Sequence, residues 1–251
     1  MKLLSLNTWG CRITEPLFEV FRSNSESTDI FCFQEILKGG NGNSSRGEVK
    51  SGYEDISRVL TKHTGYFSEY GDGGYYSESS NNLDFKYGIA CFVRSDIKQS
   101  FKNGIDLIDK TKKWSDYSGR FAAGAALAVQ VGDYAVINVH GLWQGSIKGD
   151  TEAKIEQSKK IISFADKTAG KKIICGDFNL LPDTKAVQML GDKYNNLIKD
   201  YSIKDTRGSL YTKELRYSDY AFTDKDISVD NFFVSNVSVS DHLPMVIEFD
   251  S

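Results

Sequence analysis

Acids, amides and imidazoles recur in this chain at the ends of apolar runs. Asn7 closes the first run, and Gln34-Glu35 close the second. His140 follows Ala135-Val136-Ile137-Asn138-Val139, and Asp177-Phe178-Asn179 follow Ile173-Ile174-Cys175-Gly176. Asp219 interrupts Tyr217 to Phe222, and Asp241-His242 precede the last run. If these ends converge, they form one polar pocket on a rigid scaffold. The chemistry such a pocket suits is metal-assisted phosphoryl transfer. A hard divalent cation takes oxygen ligands, which Glu35 and the Asp carboxylates supply. No cysteine or three-histidine cluster competes for zinc, since the three histidines are His63, His140 and His242. An imidazole can hydrogen-bond a phosphate oxygen or protonate a leaving group.

Taken singly, each of these residues has an ordinary structural explanation. A strand-end Asn such as Asn7 is usually a turn or cap residue. Asp177 and Asp183 can end a strand and cap a helix, His140 can be a satisfied structural histidine, and Asp219 an edge-strand charge. Their joint recurrence at strand ends is what points to catalysis.

The elements that must position them follow from apolar periodicity. Strands are predicted over 3–8, 29–35, 87–93, 121–131, 134–140, 171–175, 217–223, 229–234 and 244–249. Helices are predicted over 15–27, 150–168 and 183–190. Pro16 suits a first helical turn, and Leu17, Val20 and Phe21 share a face. Asp150 is expected to cap the second helix, with Ile155, Ser158, Ile162 and Ala165 on one face. Segments 38–52 and 71–82, rich in Gly, Ser and Asn, read as long loops, either lids or disordered. The mixed order predicts an α/β (α+β) arrangement of packed sheets with helices outside, in one domain spanning 1–251.

The 31 basic and 34 acidic residues give a formal net charge of −3, which excludes a strongly basic nucleic-acid coat. The four cysteines, Cys11, Cys32, Cys91 and Cys175, contain no CxxC pair and are expected as reduced core thiols. That predicts a reducing, cytoplasmic setting. No apolar run approaches the roughly 20 residues of a membrane span, and the N-terminus does not read as a signal peptide. No stable membrane insertion and no obligate protein partner are expected.

Leu6-Asn7-Thr8-Trp9-Gly10, Gln34-Glu35, Asn138-Val139-His140, Gly176-Asp177-Phe178-Asn179, Ser218-Asp219-Tyr220 and Ser240-Asp241-His242-Leu243-Pro244 together resemble the endonuclease/exonuclease/phosphatase family, in order, from residue 3 to residue 249. The resemblance implies a four-layer sandwich of two mixed β-sheets with helices on the outer faces. It implies a site at one edge of the sandwich and a Mg²⁺ or Mn²⁺ requirement. By the same resemblance Glu35 is the principal metal ligand, with Asn7 beside it and Asp241 as the second metal-associated acid. Asp177 positions or deprotonates the attacking water, and Asn179 fixes phosphate and nucleophile. His242 contacts the scissile phosphate, Asp219 orients His242, and His140 stabilises a phosphate oxygen or assists the leaving group. Trp143, in a glycine-flanked loop, is a candidate substrate-stacking residue. Trp9 is expected in the core and His63 as structural, while Arg120 and Lys148 can contact phosphate but are expected as surface charges.

His140 at the end of Asn138-Val139-His140 resembles pancreatic-type deoxyribonucleases and neutral sphingomyelinases more than AP endonucleases, which usually carry Tyr there. The Asn-Thr-Trp-Gly opening also resembles sphingomyelinases. The expected activity is Mg²⁺-dependent phosphodiester hydrolysis, with nucleic acid as the first substrate. The alternative is a lipid-headgroup or small-molecule phosphoester. A non-catalytic binding module on the same fold is disfavoured by the retained Glu35, Asp177 and His242.

Overall fold

The computed structural model describes residues 1–70, 84–107 and 124–250. Two six-stranded mixed sheets form its centre. In the first, β11 (Val229–Val234), β12 (Met245–Phe249), β1 (Lys2–Asn7), β2 (Ile30–Lys38), β4 (Lys86–Arg94) and β3 (His63–Glu69) lie in that spatial order. In the second the order is β5 (Gln99–Asp106), β6 (Ala125–Val131), β7 (Tyr134–His140), β8 (Lys171–Asp177), β10 (Asp219–Thr223) and β9 (Asn195–Asn196). Five helices complete the described chain: α1 (Thr14–Asn24), α2 (Gly52–Val59), α3 (Glu152–Lys167), α4 (Lys185–Lys193) and α5 (Leu197–Asp200). The arrangement is the expected α/β four-layer sandwich.

Strands buried on both faces read as unbroken apolar runs, because neither face meets water. In β2 the alternation sorts the two faces. Ile30 and Cys32 join the core shared with the second sheet, while Phe31 and Phe33 pack with Leu17 and Phe21 of α1 and Ile56 of α2. Polar groups tie the sheets across this core. Gln34 Nε2 donates to Asn138 Oδ1 (2.6 Å), and Asn138 Nδ2 donates to the carbonyls of Phe33 and Ala90 (both 3.0 Å). All four cysteines are buried and unpaired, as expected of core thiols.

The predicted strands recur with shifted ends, but β3, β5, β9, α2 and α5 were not foreseen. His63 lies in β3 with Nε2 paired to the Thr28 carbonyl, a structural role. The second predicted helix starts two residues late. Thr151 caps it through Lys154 N (3.2 Å), while Asp150 accepts from the N–H groups of Lys185 and Ala186 (2.7 and 3.0 Å) at the start of α4. Its buried face is Lys154, Gln157, Ser158, Ile161, Phe164 and Ala165, so Ile155 and Ile162 are only partly covered. Apolar spacing mis-set that face because its first turn carries polar residues that serve neighbouring carbonyls.

Segment 38–52 is not disordered. It begins in β2 and ends in α2, and Ser44, Gly47, Val49 and Lys50 donate backbone hydrogen bonds to Glu48, Ser44, Gly10 and Gly42 (2.8–3.0 Å). The expectations for 71–82, Arg120 and the start of the 121–131 strand lie outside the described residues.

Candidate active site

Register sets the site. β7 and β8 are parallel with His140 opposite Asp177, and antiparallel β10 places Asp219 opposite Asp177 on its other side. Three chemical residues therefore stand at one level of three adjacent strands, where side chains share a face. In the first sheet β1 and β2 are parallel, with Asn7 opposite Gln34. The β2–β4 register then shifts between Phe33 and Ile36, and Glu35 has φ +57°. This bulge lifts Glu35 out of the ladder and re-aims its carboxylate. Gly176 has φ +135°, and a Cβ there would lie 2.0 Å from the Val139 carbonyl oxygen, so only glycine lets β8 deliver Asp177 beside β7.

Asn7 joins the two sheets. Its Oδ1 accepts from Trp9 N (3.0 Å), which turns Nδ2 toward Glu35 Oε1 and Asp177 Oδ2 (both 3.1 Å). Asp177 is buried, and its Oδ1 accepts from Asn179 N (2.8 Å). Asn179 adopts φ +56°, a conformation Asn tolerates better than most residues. His140 pairs through Nδ1 with the Tyr70 hydroxyl, leaving Nε2 3.8 Å from both Glu35 Oε1 and Asp177 Oδ2.

His242 Nδ1 lies 2.8 and 2.9 Å from the two Asp219 oxygens. An ionised carboxylate only accepts, so Nδ1 carries the proton and Nε2 faces the cavity. Nε2 is 3.5 Å from Asp177 Oδ2 and 3.8 Å from Asp241 Oδ1. Burial and the Arg207 guanidinium push the His242 pKa down, but Asp219, Asp241 and Asp177 outweigh them and leave it raised. Burial likewise opposes ionisation of Asp177. His242, Arg207, His140 and Lys148 overcome it and hold that carboxyl well below the usual range.

Ligand atoms of Asp177, Asp219 and His242 lie within 4.8 Å of one another, close enough to suggest an ion. The hydrogen bonds argue otherwise for this trio: both Asp219 oxygens are committed to the His242 N–H. The oxygens free for a hard cation are elsewhere. Asp241 Oδ1 is buried with no hydrogen-bond partner, and the Glu35 side chain is 23% exposed toward the same cavity. An orphaned carboxylate oxygen and a second acid on one cavity fit Mg²⁺ or Mn²⁺.

The cavity measures about 610 Å³, and Glu35, His140, Asp177, Asn179, Asp241 and His242 all line it. A larger depression of about 830 Å³ between β5 and α3 contains none of the strand-end residues. Trp143 is in the catalytic cavity's wall. Trp9 is there too, contrary to the core expectation: it is half-buried, with the Arg12 guanidinium 4.8 Å over its ring. Burial pushes the nearby Cys11 thiol up to about 12, so it offers no thiolate.

Lys148 is not a surface charge. It is 5% exposed, lines the cavity, and donates to Asn179 Oδ1 (3.1 Å). Buried Lys154 donates to the carbonyls of Asn179 (2.9 Å) and Ile147. Arg207 binds Asp241 Oδ2 (2.8 Å). Sequence reasoning missed Lys148, Arg207, Ser218 and Tyr70 as parts of the site. Only Ser218, beside Asp219, carried a local signal.

The endonuclease/exonuclease/phosphatase family model matches residues 4–242. No curated protein matches the chain. Among solved structures, an endonuclease/exonuclease/phosphatase from Beutenbergia cavernae aligns with TM-score 0.72 and 18% identity, over 99% of this chain and 71% of that one. A mannosyl-6-phosphatase of Bacteroides thetaiotaomicron aligns with TM-score 0.67 and 15% identity over 100% of both chains. The human Nocturnin catalytic domain aligns with TM-score 0.63 and 17% identity over 100% of this chain and 93% of that one. At such identities these structures attest the fold. Together with the family match over nearly the whole length, they establish that the chain belongs to the endonuclease/exonuclease/phosphatase family, whose members are phosphoester hydrolases.

Proposed function

We propose that the chain is a divalent-metal-dependent phosphodiester hydrolase. The observation that carries this reading is the pairing of a buried Asp219–His242–Asp177 array with an unpartnered Asp241 oxygen and a partly exposed Glu35 on one cavity. Glu35 and Asp241 would hold Mg²⁺ or Mn²⁺, which supplies Lewis-acid stabilisation of phosphate charge, whereas Asn7 turns its Nδ2 donor to Glu35 and Asp177 and orients those carboxylates rather than ligating the ion. Asp177 Oδ2 orients the attacking water and takes up its proton. His242, fixed by Asp219, donates through Nε2 to a non-bridging phosphate oxygen. His140 Nε2 serves a phosphate oxygen or the leaving group, and Asn179 Nδ2 helps hold the phosphate. These donors are fixed before substrate arrives, so little reorganisation is needed as charge develops.

Nucleic acid is the first substrate, taken as a single strand: Trp9, Trp143 and Tyr211 in the walls offer faces for an unstacked base. The second reading is a small-molecule phosphoester. The cavity's volume of about 610 Å³ favours it, because small ligands are held in cavities of roughly this size. The fold likeness to a mannosyl-6-phosphatase is consistent with it.

The test is a turnover panel with Mg²⁺ and Mn²⁺ on single-stranded and duplex DNA, RNA, bis-p-nitrophenyl phosphate and hexose phosphates, with Asp177→Asn as the blank. Metal-dependent cleavage of single strands, absent in the variant, supports the first reading. Cleavage of hexose phosphates alone moves the function to the second. Turnover that survives exhaustive chelation contradicts both.

A further inference from the structure

Ser218 has no part in the mechanism above, yet it makes the shortest hydrogen bond to Asp177. Its buried Oγ lies 2.6 Å from Asp177 Oδ1, 2.9 Å from Lys148 Nζ and 3.0 Å from Arg207 Nη2. A hydroxyl has one proton and two acceptor positions, while ammonium and guanidinium groups only donate. Both acceptor positions are therefore taken by cations, and the single proton has one destination, the Asp177 carboxylate. Backbone bonds pin the residue: Ser218 N donates to Thr206 Oγ1 (3.1 Å), and Phe178 N donates to the Ser218 carbonyl (2.8 Å).

With Asn179 N at 2.8 Å, Ser218 gives Asp177 Oδ1 two donors. Oδ2 is left facing Asn7 Nδ2 (3.1 Å), His242 Nε2 (3.5 Å) and His140 Nε2 (3.8 Å). We propose that Ser218, held by Lys148 and Arg207, is a positioning residue that locks the Asp177 carboxylate plane so that Oδ2 is the oxygen presented to the reacting water. This rests on the reading of Asp177 as the water-orienting group. Lys148 acts at two points, because the same ammonium also fixes the Asn179 amide through Oδ1.

The test compares wild type with Ser218→Ala, Lys148→Met, Lys148→Arg and the Ser218→Ala/Lys148→Met double variant. Turnover of bis-p-nitrophenyl phosphate with Mn²⁺ is read beside the Asn179 backbone amide proton signal in NMR spectra of the metal-free proteins. Ser218→Ala is expected to lower kcat by about 10- to 100-fold with KM within about twofold, since small misplacements of a reacting group cost this much. Lys148→Arg should recover at least about tenfold over Lys148→Met by keeping a cationic donor. The double variant should lose less than the product of the single losses, because both changes act on one network. The Asn179 amide signal should move in Ser218→Ala, since its acceptor oxygen is freed to rotate. Unchanged kcat, a loss confined to KM, or multiplicative losses would overturn the proposal. If wild type turns over nothing, the hydrolase reading falls, and the amide signal alone decides: a shift keeps Ser218 as the lock on Asp177, and an unmoved signal removes it.

Discussion

The two sides of the cavity are built differently. On the β8–β10 side, Asp177, Asp219, His242, Lys148 and Arg207 are all buried, and each has hydrogen-bonding partners within the protein. On the β1–β2 side the Glu35 side chain is 23% exposed, its carboxylate meets Asn7 at 3.1 Å and His140 at 3.8 Å, and Trp9 and Arg12 line the cavity beside it. The first side resembles a fixed charge array. Any single deletion there leaves other charges buried and unpaired, which is costly. The second side has coordination capacity to spare. In this account chemistry is fixed on one side, while cation and substrate are received between that side and the other.

Changes to Asp177 and Asp219 should therefore cut turnover without shifting metal demand. Asp177→Asn keeps the volume but removes the proton acceptor, and a kcat loss on the order of 10³-fold or more is expected in steady-state assays. Alanine is the poorer probe, because it also leaves the Ser218 hydroxyl and the Asn179 N–H without their acceptor. Asp219→Asn should cost about 10²-fold in kcat by weakening the orientation of His242, with KM little changed. On the open side, Trp143→Ala should raise KM by roughly three- to tenfold, with kcat unchanged, since stacking is worth about 1–3 kcal/mol per base. A larger kcat effect for Trp143→Ala than for Asp219→Asn would erase the distinction between the two sides.

A subtler contrast is in stability. Burial holds the Lys148 and Lys154 amines at about 8, against an ordinary value of 10.5. Both lysines then bear charge in the fold at a cost below pH 8. Between about pH 8 and 10 these two lysines bind more protons in the unfolded chain than in the fold, so their contribution to stability rises with pH. Within that window the buried Cys11 and Cys32 thiols, raised by burial, oppose part of the trend, and above it the buried Tyr70 and Tyr220, raised in the same way, add to the opposition. The unfolding free energy read from urea titrations should increase from pH 8 to pH 9.5 by on the order of 1 kcal/mol, and less in Lys154→Met. The same pH dependence in wild type and Lys154→Met would contradict the burial of the Lys154 amine.

The sequence revealed the strand-end acids and imidazoles because apolar runs end abruptly in polar residues at Asn7, Glu35, His140 and Asp177. The apolar runs pointed to packed sheets with helices outside, because doubly buried strands read as unbroken apolar runs, while the four-layer arrangement of two sheets came from the family resemblance. The sequence did not reveal Lys148 or Arg207. A buried cation has no periodicity, and its partners, Asn179, Ser218 and Asp241, are 31 to 70 residues away in one case and 11 to 34 in the other. β3 and β5 escaped because they are edge strands with at most one buried residue each, so neither carries an apolar alternation. α2 escaped because it is short and has few apolar residues. Segment 38–52 looked unstructured for the same reason. Its order comes from backbone bonds and from buried Glu48, which binds Arg12 Nη2 at 2.8 Å, rather than from apolar packing.

The most direct test of the division between the two sides is turnover of bis-p-nitrophenyl phosphate as a function of Mn²⁺ concentration for wild type, Asp177→Asn and Glu35→Gln. The account predicts that Glu35→Gln shifts half-activation to at least about tenfold higher Mn²⁺ and regains part of its turnover at saturation. It predicts that Asp177→Asn stays inactive at every concentration while binding Mn²⁺ as wild type does. Identical metal curves for Glu35→Gln and wild type, or rescue of Asp177→Asn by added metal, would contradict it.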